Sequence, residues 1–384
     1  MKRLYLDHAA SAPVLPSARR EYLRGLDIIG NPSSAHSFGR EARAELERCT
    51  ERIAELIDCD PEEIVYTSGA TEGNAMVLNR KAYNFTSPLE HPSVAKWNEI
   101  LLPNPPPLWK SRDLFFCDPY GNITVNKLGD PPYINVDFMG KLASVMLASN
   151  EIGTVQDIKK INKKLYNYGL FVHTDATAAV GHIPVSFRDL GVDFLTCSAH
   201  KFGGVRGTGL LIARRNAPPA YLMRGGAQQR GRRPGTENLA GIMAMTAALE
   251  ERTANMDVTK PKLTAMRDRI IYNLLAIDGA FLNGGDAHRL PNHISIGFRG
   301  VSGDALAALL DEQGICVSTG SACHTGEQSP SKALLAIGRT PEEALSTIRI
   351  TFGEDLTEED AGRVVTTITK AVDILRRNGM QRKE

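Results

Sequence analysis

Asp193-Phe194-Leu195-Thr196-Cys197-Ser198-Ala199-His200-Lys201-Phe202-Gly203-Gly204 runs a short apolar stretch straight into a small, polar, glycine-ended turn. Asp193 to Cys197 reads as a buried strand, with the turn at its carboxyl end. Thr208 to Ala213 reads as a second strand just beyond, and Leu170 to Thr174 as another that ends against Asp175. Farther back, Ala143 to Ala148 is a predicted strand and Val155 to Tyr168 a predicted helix. Glu63 to Thr67 is again strand-like, and helical periodicity resumes after Ser68-Gly69-Ala70-Thr71. From Gly39, GREARAELERCTERIAELID puts Ala42, Leu46, Cys49, Ile53 and Leu56 on one helical face, with Arg and Glu on the other. Strands that alternate with helices predict an α/β fold: a mainly parallel sheet covered on both faces. In such sheets ligands bind beyond the carboxyl ends of the strands.

The flanking segments are less regular. Leu101 to Pro132 is rich in Pro and Asp and reads as loops around one strand at Leu114 to Cys117. Gln229 to Thr236, QRGRRPGT, reads as a basic loop before a helix from near Glu237. From about Asp257 the pattern changes to a long helix, strands near His293 to Gly297 and Ile348 to Phe352, and a last helix from Glu358. A smaller second domain is the expectation.

At 384 residues the chain exceeds what one hydrophobic core usually holds. Apolar residues make up 42% and charged residues 23%, the composition of a globular protein. Forty-five Lys and Arg against 44 Asp and Glu leave a formal charge of +1, so no global field recruits nucleic acid or an anionic membrane, and a small-molecule substrate is expected. No stretch near Met1 resembles a signal peptide and none later resembles a membrane span. A cytoplasmic location is the resulting expectation. The six cysteines (49, 59, 117, 197, 316 and 323) show no C-x-x-C pair, which argues against zinc and against a disulfide framework.

Five clusters carry chemistry. Lys201, at a strand end among small residues, is placed to lose part of its hydration, which lowers its pKa and readies the amine for a Schiff base. Ser198 and His200 beside it are able to bind phosphate. Read by itself, a lysine after a strand also describes a solvated surface charge. Asp175, at the end of an apolar strand, is costly to bury without a partner; a protonated pyridine nitrogen is such a partner, and a turn aspartate is the plainer reading. Ser68 to Thr71 open a helix whose free N–H groups and dipole favour an anion. Together these features point to pyridoxal phosphate. Cys323 sits in VSTGSACHTG (Val317 to Gly326), a run of small residues that predicts an exposed loop and an accessible thiol, whether nucleophile or plain surface cysteine. Arg349 faces inward from an alternating strand and suits a substrate carboxylate. His91, in Glu90-His91-Pro92, either stacks on a cofactor ring or only begins a helix.

Taken in order, these segments resemble the NifS-like group I cysteine desulfurases, within the fold type I (aspartate-aminotransferase-type) pyridoxal-phosphate enzymes. The likeness rests on YLDHAA (Tyr5 to Ala10), GNPSSAH (Gly30 to His36), TSGATEGN (Thr67 to Asn74), EHPSV (Glu90 to Val94), SNEIGTVQDI (Ser149 to Ile158), HTDAT (His173 to Thr177), SAHKFGG (Ser198 to Gly204), RPGTEN (Arg233 to Asn238), STGSAC (Ser318 to Cys323) and TIRITFG (Thr347 to Gly353). It covers the chain apart from Ala95 to Leu142.

The resemblance implies a large domain over residues 15–256 with a mainly parallel seven-stranded sheet. Residues 1–14 and 257–384 would form a smaller α+β domain carrying the cysteine loop. It implies that Lys201 holds pyridoxal phosphate, that Asp175 pairs with its pyridine nitrogen and that His91 stacks on its ring. Ala70, Thr71, Ser198 and His200 would hold the phosphate, joined by Thr236 from the other subunit of a homodimer. Asn150 would contact the ring oxygen or the substrate, Arg349 would bind the carboxylate of L-cysteine, and Cys323 would take the sulfur as a persulfide. The acceptors of that group are scaffold or sulfur-relay proteins, which serve iron-sulfur clusters, tRNA thiolation or another pathway. One departure is Ala178, where the family usually has a Gln that touches the ring oxygen. The competing readings are another fold type I enzyme, such as a selenocysteine lyase or an aminotransferase, and a non-catalytic sulfur-relay scaffold; the cysteine loop discriminates against the first, and intact Lys201, His91 and Cys323 speak against the second.

Overall fold

The structure, a computed structural model, describes residues 2–79, 84–101, 114–126, 141–319 and 329–381. Its main sheet has six strands in the order Ile64–Thr67, Gly209–Ala213, Phe194–Ser198, Phe171–Asp175, Leu142–Ser144 and Asn84–Thr86. The last four run parallel to one another, and Gly209–Ala213 lies antiparallel to both its neighbours. Phe194–Ser198 and Gly209–Ala213 are buried at every position, as central strands of a doubly covered sheet are.

Among the described residues this is one strand fewer than the seven expected. Phe115–Cys117 pairs instead with Ile123–Val125 in a separate antiparallel ribbon. Phe116 is exposed there, so this strand buries only one face.

The helices obey their sequence patterns. Ser37–Ile57 opens with the His36 ring accepting from the Gly39 N–H and closes at Asp58 with φ 56°. Ala70–Leu78 begins two residues after the edge strand ends, and Gly73 lets it lie tight on the sheet, since a Cβ there would sit 2.9 Å from the Thr196 methyl. The two helices expected from Glu237 and from Asp257 are one, Leu239–Leu275, capped by Asn238 and continuous through Pro261. Its character changes because its surroundings do. Residues Leu239 to Met245 are buried all round, whereas beyond Met256 burial is confined to a stripe at Arg267, Ile270, Ile271 and Leu274.

That helix spans two separate cores. The larger, around Phe85, Val172, Leu195, Phe202 and Met245, also takes in Ala333, Leu334 and Ile337 from late in the chain. The smaller is built on a second sheet in the order Ala280–Leu282, His293–Phe298, Thr347–Thr351 and Ser318–Thr319. Its core includes Leu6, Phe298, Leu306, Ile350 and Val364.

The amino terminus joins this second unit. Leu4–Tyr5 pairs in parallel with Ile315–Cys316, and Asp7 bridges to Thr351. Among the described residues no helix is long and apolar enough to cross a membrane.

Candidate active site

Three strand ends of the main sheet and one strand of the smaller sheet converge on a cavity of about 360 Å³. Lys201, Asp175, Ser198, His200, His91 and Arg349 line it, together with Ala70, Thr71 and Asn150.

Lys201 ends the short turn Ala199–Lys201 that comes directly after the strand Phe194–Ser198. Its Nζ donates to the carbonyl oxygens of Ala9 at 2.6 Å and Ala10 at 3.0 Å. Burial pulls its pKa from 10.5 down to about 8; the charge of Arg349 adds to the fall, and Asp175 and Asp7 oppose it.

Asp175 closes the neighbouring strand and is buried. Its Oδ2 accepts from Asn74 Nδ2 and its Oδ1 from the Thr177 backbone N–H, both at 2.9 Å. These donors offset the cost of burying the carboxylate. On the other side of Phe194–Ser198, Ser198 Oγ accepts from the N–H of Ala70, the first residue of its helix, at 2.7 Å. The serine hydrogen is thereby left to donate elsewhere. The next N–H groups of that first turn have no acceptor within the helix. Burial, reinforced by the charges of Lys201 and Arg206, holds the His200 pKa down to about 4, so this ring is neutral near pH 7.

Arg349 reaches in from Thr347–Thr351. Its Nη1 donates to the Asn150 carbonyl at 3.0 Å and its Nη2 to Asp7 at 2.7 Å, while its Nε is buried with no partner among the described residues. His91 both precedes the helix Pro92–Leu101 and lines the cavity. Its Nδ1 accepts from the Ser93 N–H at 3.1 Å.

Thr236 is exposed and is not part of the wall in its own chain. Cys323 lies outside the described residues. The strand before it, Ser318–Thr319, pairs with Thr347–Thr351 so that Ser318 faces Arg349, and the cysteine segment therefore starts beside the arginine. Ala178 lines the cavity with only a methyl group.

Several wall residues are not expected from the sequence. Thr177 Oγ1 is buried there with no hydrogen-bond partner among the described residues. His182 donates toward the Lys201 carbonyl at 3.0 Å and is kept neutral chiefly by burial, its pKa lowered to about 4. His293, fully buried, sits 3.0 Å from the Asn150 carbonyl. Asn74 stands within TSGATEGN, one helical turn after Ala70, and that spacing is the available signal. For His182 and His293 the sequence offers none.

The donor set fits pyridoxal phosphate. A helix start with hydroxyls and a neutral imidazole suits its phosphate, a buried carboxylate its ring nitrogen, and a lysine of lowered pKa its aldehyde. The orphaned Thr177 Oγ1 beside Asp175 is an atom that a bound polar molecule would satisfy.

Comparison with known proteins agrees. The aminotransferase class-V family model matches residues 4–102 and 112–364. The cysteine desulfurase IscS of Dictyoglomus turgidum is 37% identical, the match covering 98% of this chain and 96% of that protein. Among solved structures, a NifS-like protein superposes with a TM-score of 0.85 at 29% identity, covering 97% of this chain and 100% of that one. A NifS-like protein from Rickettsia africae gives 0.84 at 28% identity, covering 97% and 99% respectively. A cavity built for pyridoxal phosphate and a likeness that runs the length of the chain lead to one conclusion: the chain belongs to the class-V aminotransferase family, among its NifS-like, pyridoxal-phosphate-dependent members.

Proposed function

We propose that the chain is a cysteine desulfurase, which removes sulfur from L-cysteine to give L-alanine and a persulfide on Cys323 that passes to an acceptor protein. The observation that carries this reading is the meeting of Lys201, Asp175 and Arg349 in one cavity, at the foot of the segment that bears Cys323. Pyridoxal phosphate, when bound, supplies an electron sink for negative charge on the substrate's α-carbon.

The remaining work falls to the protein's own groups. Ser198, His200, Ala70 and Thr71 hold the phosphate, Asp175 holds the ring nitrogen and His91 covers the ring. Arg349 orients the substrate by its carboxylate, and Asn150 flanks the cofactor or the substrate. Lys201 Nζ would move the α proton of the bound substrate. Cys323 takes the sulfur: an S–S bond forms as the substrate's C–S bond breaks.

A second copy of the chain would bring its Thr236 to the phosphate, and the exposure of that residue supports the idea. The acceptor is a scaffold or sulfur-relay protein of the kind that serves iron-sulfur assembly. The setting is a reducing compartment such as the cytoplasm, consistent with the free thiols of the five described cysteines.

The test is direct. Protein loaded with pyridoxal phosphate and given L-cysteine with a thiol reductant should release alanine and sulfide in equal amounts. Failure to take up the cofactor, or alanine without sulfide, would overturn the reading.

Arg349→Ala should raise KM for L-cysteine roughly 10- to 100-fold, the worth of one charge-assisted hydrogen bond, and change kcat much less. Steady-state kinetics separate the two. Uptake of cofactor by the stripped protein needs the unprotonated Lys201 amine. With the pKa lowered to about 8, the rate should rise about tenfold per pH unit up to pH 8 and level off above it. A lysine of ordinary pKa would keep rising towards pH 10.5, a difference visible in the absorbance change on binding.

A further inference from the structure

Side chains form a continuous hydrogen-bonded line that is buried behind the cavity and comes to the surface of its wall at half-buried Ser93 and exposed His91. Ser144 Oγ lies 2.8 Å from His173 Nδ1, and His173 Nε2 lies 3.2 Å from Thr196 Oγ1. Thr196 Oγ1 meets Asn74 Oδ1 at 2.6 Å. Asn74 Nδ2 reaches both Asp175 Oδ2 and Ser93 Oγ, each at 2.9 Å, and Ser93 Oγ lies 2.8 Å from His91 Nδ1. Ser144, His173, Thr196 and Asn74 are all fully buried.

The donors in this line are fixed by Asp175, which only accepts, and at the far end by the Ser93 backbone N–H aimed at His91 Nδ1. A carboxylate only accepts, so the Asn74 group facing Asp175 is its NH₂, and both of its hydrogens are spent on Asp175 and Ser93. Asn74 Oδ1 therefore accepts from Thr196, whose single hydrogen is then used. Thr196 must in turn accept from His173 Nε2. Burial keeps His173 neutral, its pKa lowered to about 4, so its Nδ1 accepts from Ser144. On the other branch Ser93 Oγ accepts from Asn74 and sends its own hydrogen to His91 Nδ1. The Ser93 backbone N–H points at the same nitrogen.

We infer that Asn74 and Ser93 are positioning residues of the cavity: they tie Asp175 to His91 and fix His91 as the tautomer whose proton sits on Nε2. A ring held in this way offers an N–H to a reacting group and does not serve as a base through Nδ1. The tautomer is set by geometry alone; its consequence for turnover rests on the function proposed above.

Among the described residues the charged groups around His91 are few. Asp175 and Lys201 face it across the cavity. Glu90, next in the chain, is engaged with Ser87 and the Met146 N–H, and Glu72 on the packed helix is paired with Arg233. Burial lowers the His91 pKa, with Lys201 aiding and Asp175 opposing. Removing a donor to Nδ1 makes that nitrogen easier to protonate, so the pKa should rise.

The test uses full-length protein with ¹⁵N-labelled histidine, with and without pyridoxal phosphate, His91 being assigned by its loss in His91→Gln. In the wild type and in Ser93→Thr, which keeps the hydroxyl, the NMR spectrum should show Nε2 protonated and Nδ1 accepting. In Ser93→Ala the two tautomers should mix. The acid limb of kcat should move to higher pH, and kcat should fall about fivefold, the worth of one net hydrogen bond, with KM nearly constant. An Nε2–H signal and an acid limb unchanged in Ser93→Ala would overturn the inference, even if that variant melts at a lower temperature. A wild-type His91 carrying its proton on Nδ1 would do the same. A locked tautomer in protein that is inactive on cysteine would count against the proposed function only.

Discussion

Lys201→Ala should lower turnover of L-cysteine by roughly 10⁴-fold, the upper end of what a positioned acid-base group contributes, and should leave protein that loses pyridoxal phosphate on dialysis. The fold should survive the change. Among the described residues Lys201 Nζ bonds only to the carbonyls of Ala9 and Ala10, and both of those face an open cavity that admits water. The sign of the pKa shift points the same way. Because the folded protein holds this amine near a pKa of about 8, below the ordinary lysine value, the unfolded chain binds more protons between the two values, and the buried cation weighs against folding below pH 8. Removing it should therefore leave the melting temperature at pH 7 unchanged or slightly higher, while activity disappears. Sulfide and alanine assays with a thermal melt on the same sample check both halves. Substantial residual turnover in a well-folded variant would remove Lys201 from the mechanism.

Cys323→Ala should abolish sulfide release, with a fall on the order of 10³-fold or more, as removal of a covalent nucleophile produces, while cofactor uptake stays intact. None of the five described cysteines is placed to substitute. Cys49, Cys59 and Cys197 are buried, and burial pushes every one of their thiols up, that of Cys59 to about 12. Cys117 is likewise raised to about 12, and the more accessible Cys316 is raised by burial and by its contact with Asp311. Since a thiolate is the nucleophile, none of these is ready near neutral pH. Equal sulfide release by wild type and Cys323→Ala would sink the persulfide step and leave the lysine chemistry untouched.

Much of this is legible in the sequence because the decisive residues stand at element boundaries. Lys201, Asp175 and Thr71 each come at the end of an apolar run, at the point where backbone geometry must change, and such places are visible as a break in periodicity. Local pattern says less about which distant segment meets which. Nothing near Asn74 announces that its amide will bridge Asp175, 101 residues away, and Ser93. The continuous helix through Pro261 reads as two because its buried face narrows where the core changes, and a proline inside reinforces that reading. Phe115–Cys117 is legible as a strand, but its partner is not, since pairing is settled by tertiary contacts.

The segment from Leu4 to Ala12 constrains how the protein is made. Its strand needs Ile315–Cys316, Asp7 needs Thr351 and Arg349, and only then do the carbonyls of Ala9 and Ala10 stand over Lys201. This segment thus waits for partners that lie roughly 300 residues further along the chain, and pairings of such long sequence separation are the slow kind. A nascent or prematurely ended chain owns its lysine but has no roof above it. The pocket is finished only once the chain has been made as far as Thr351.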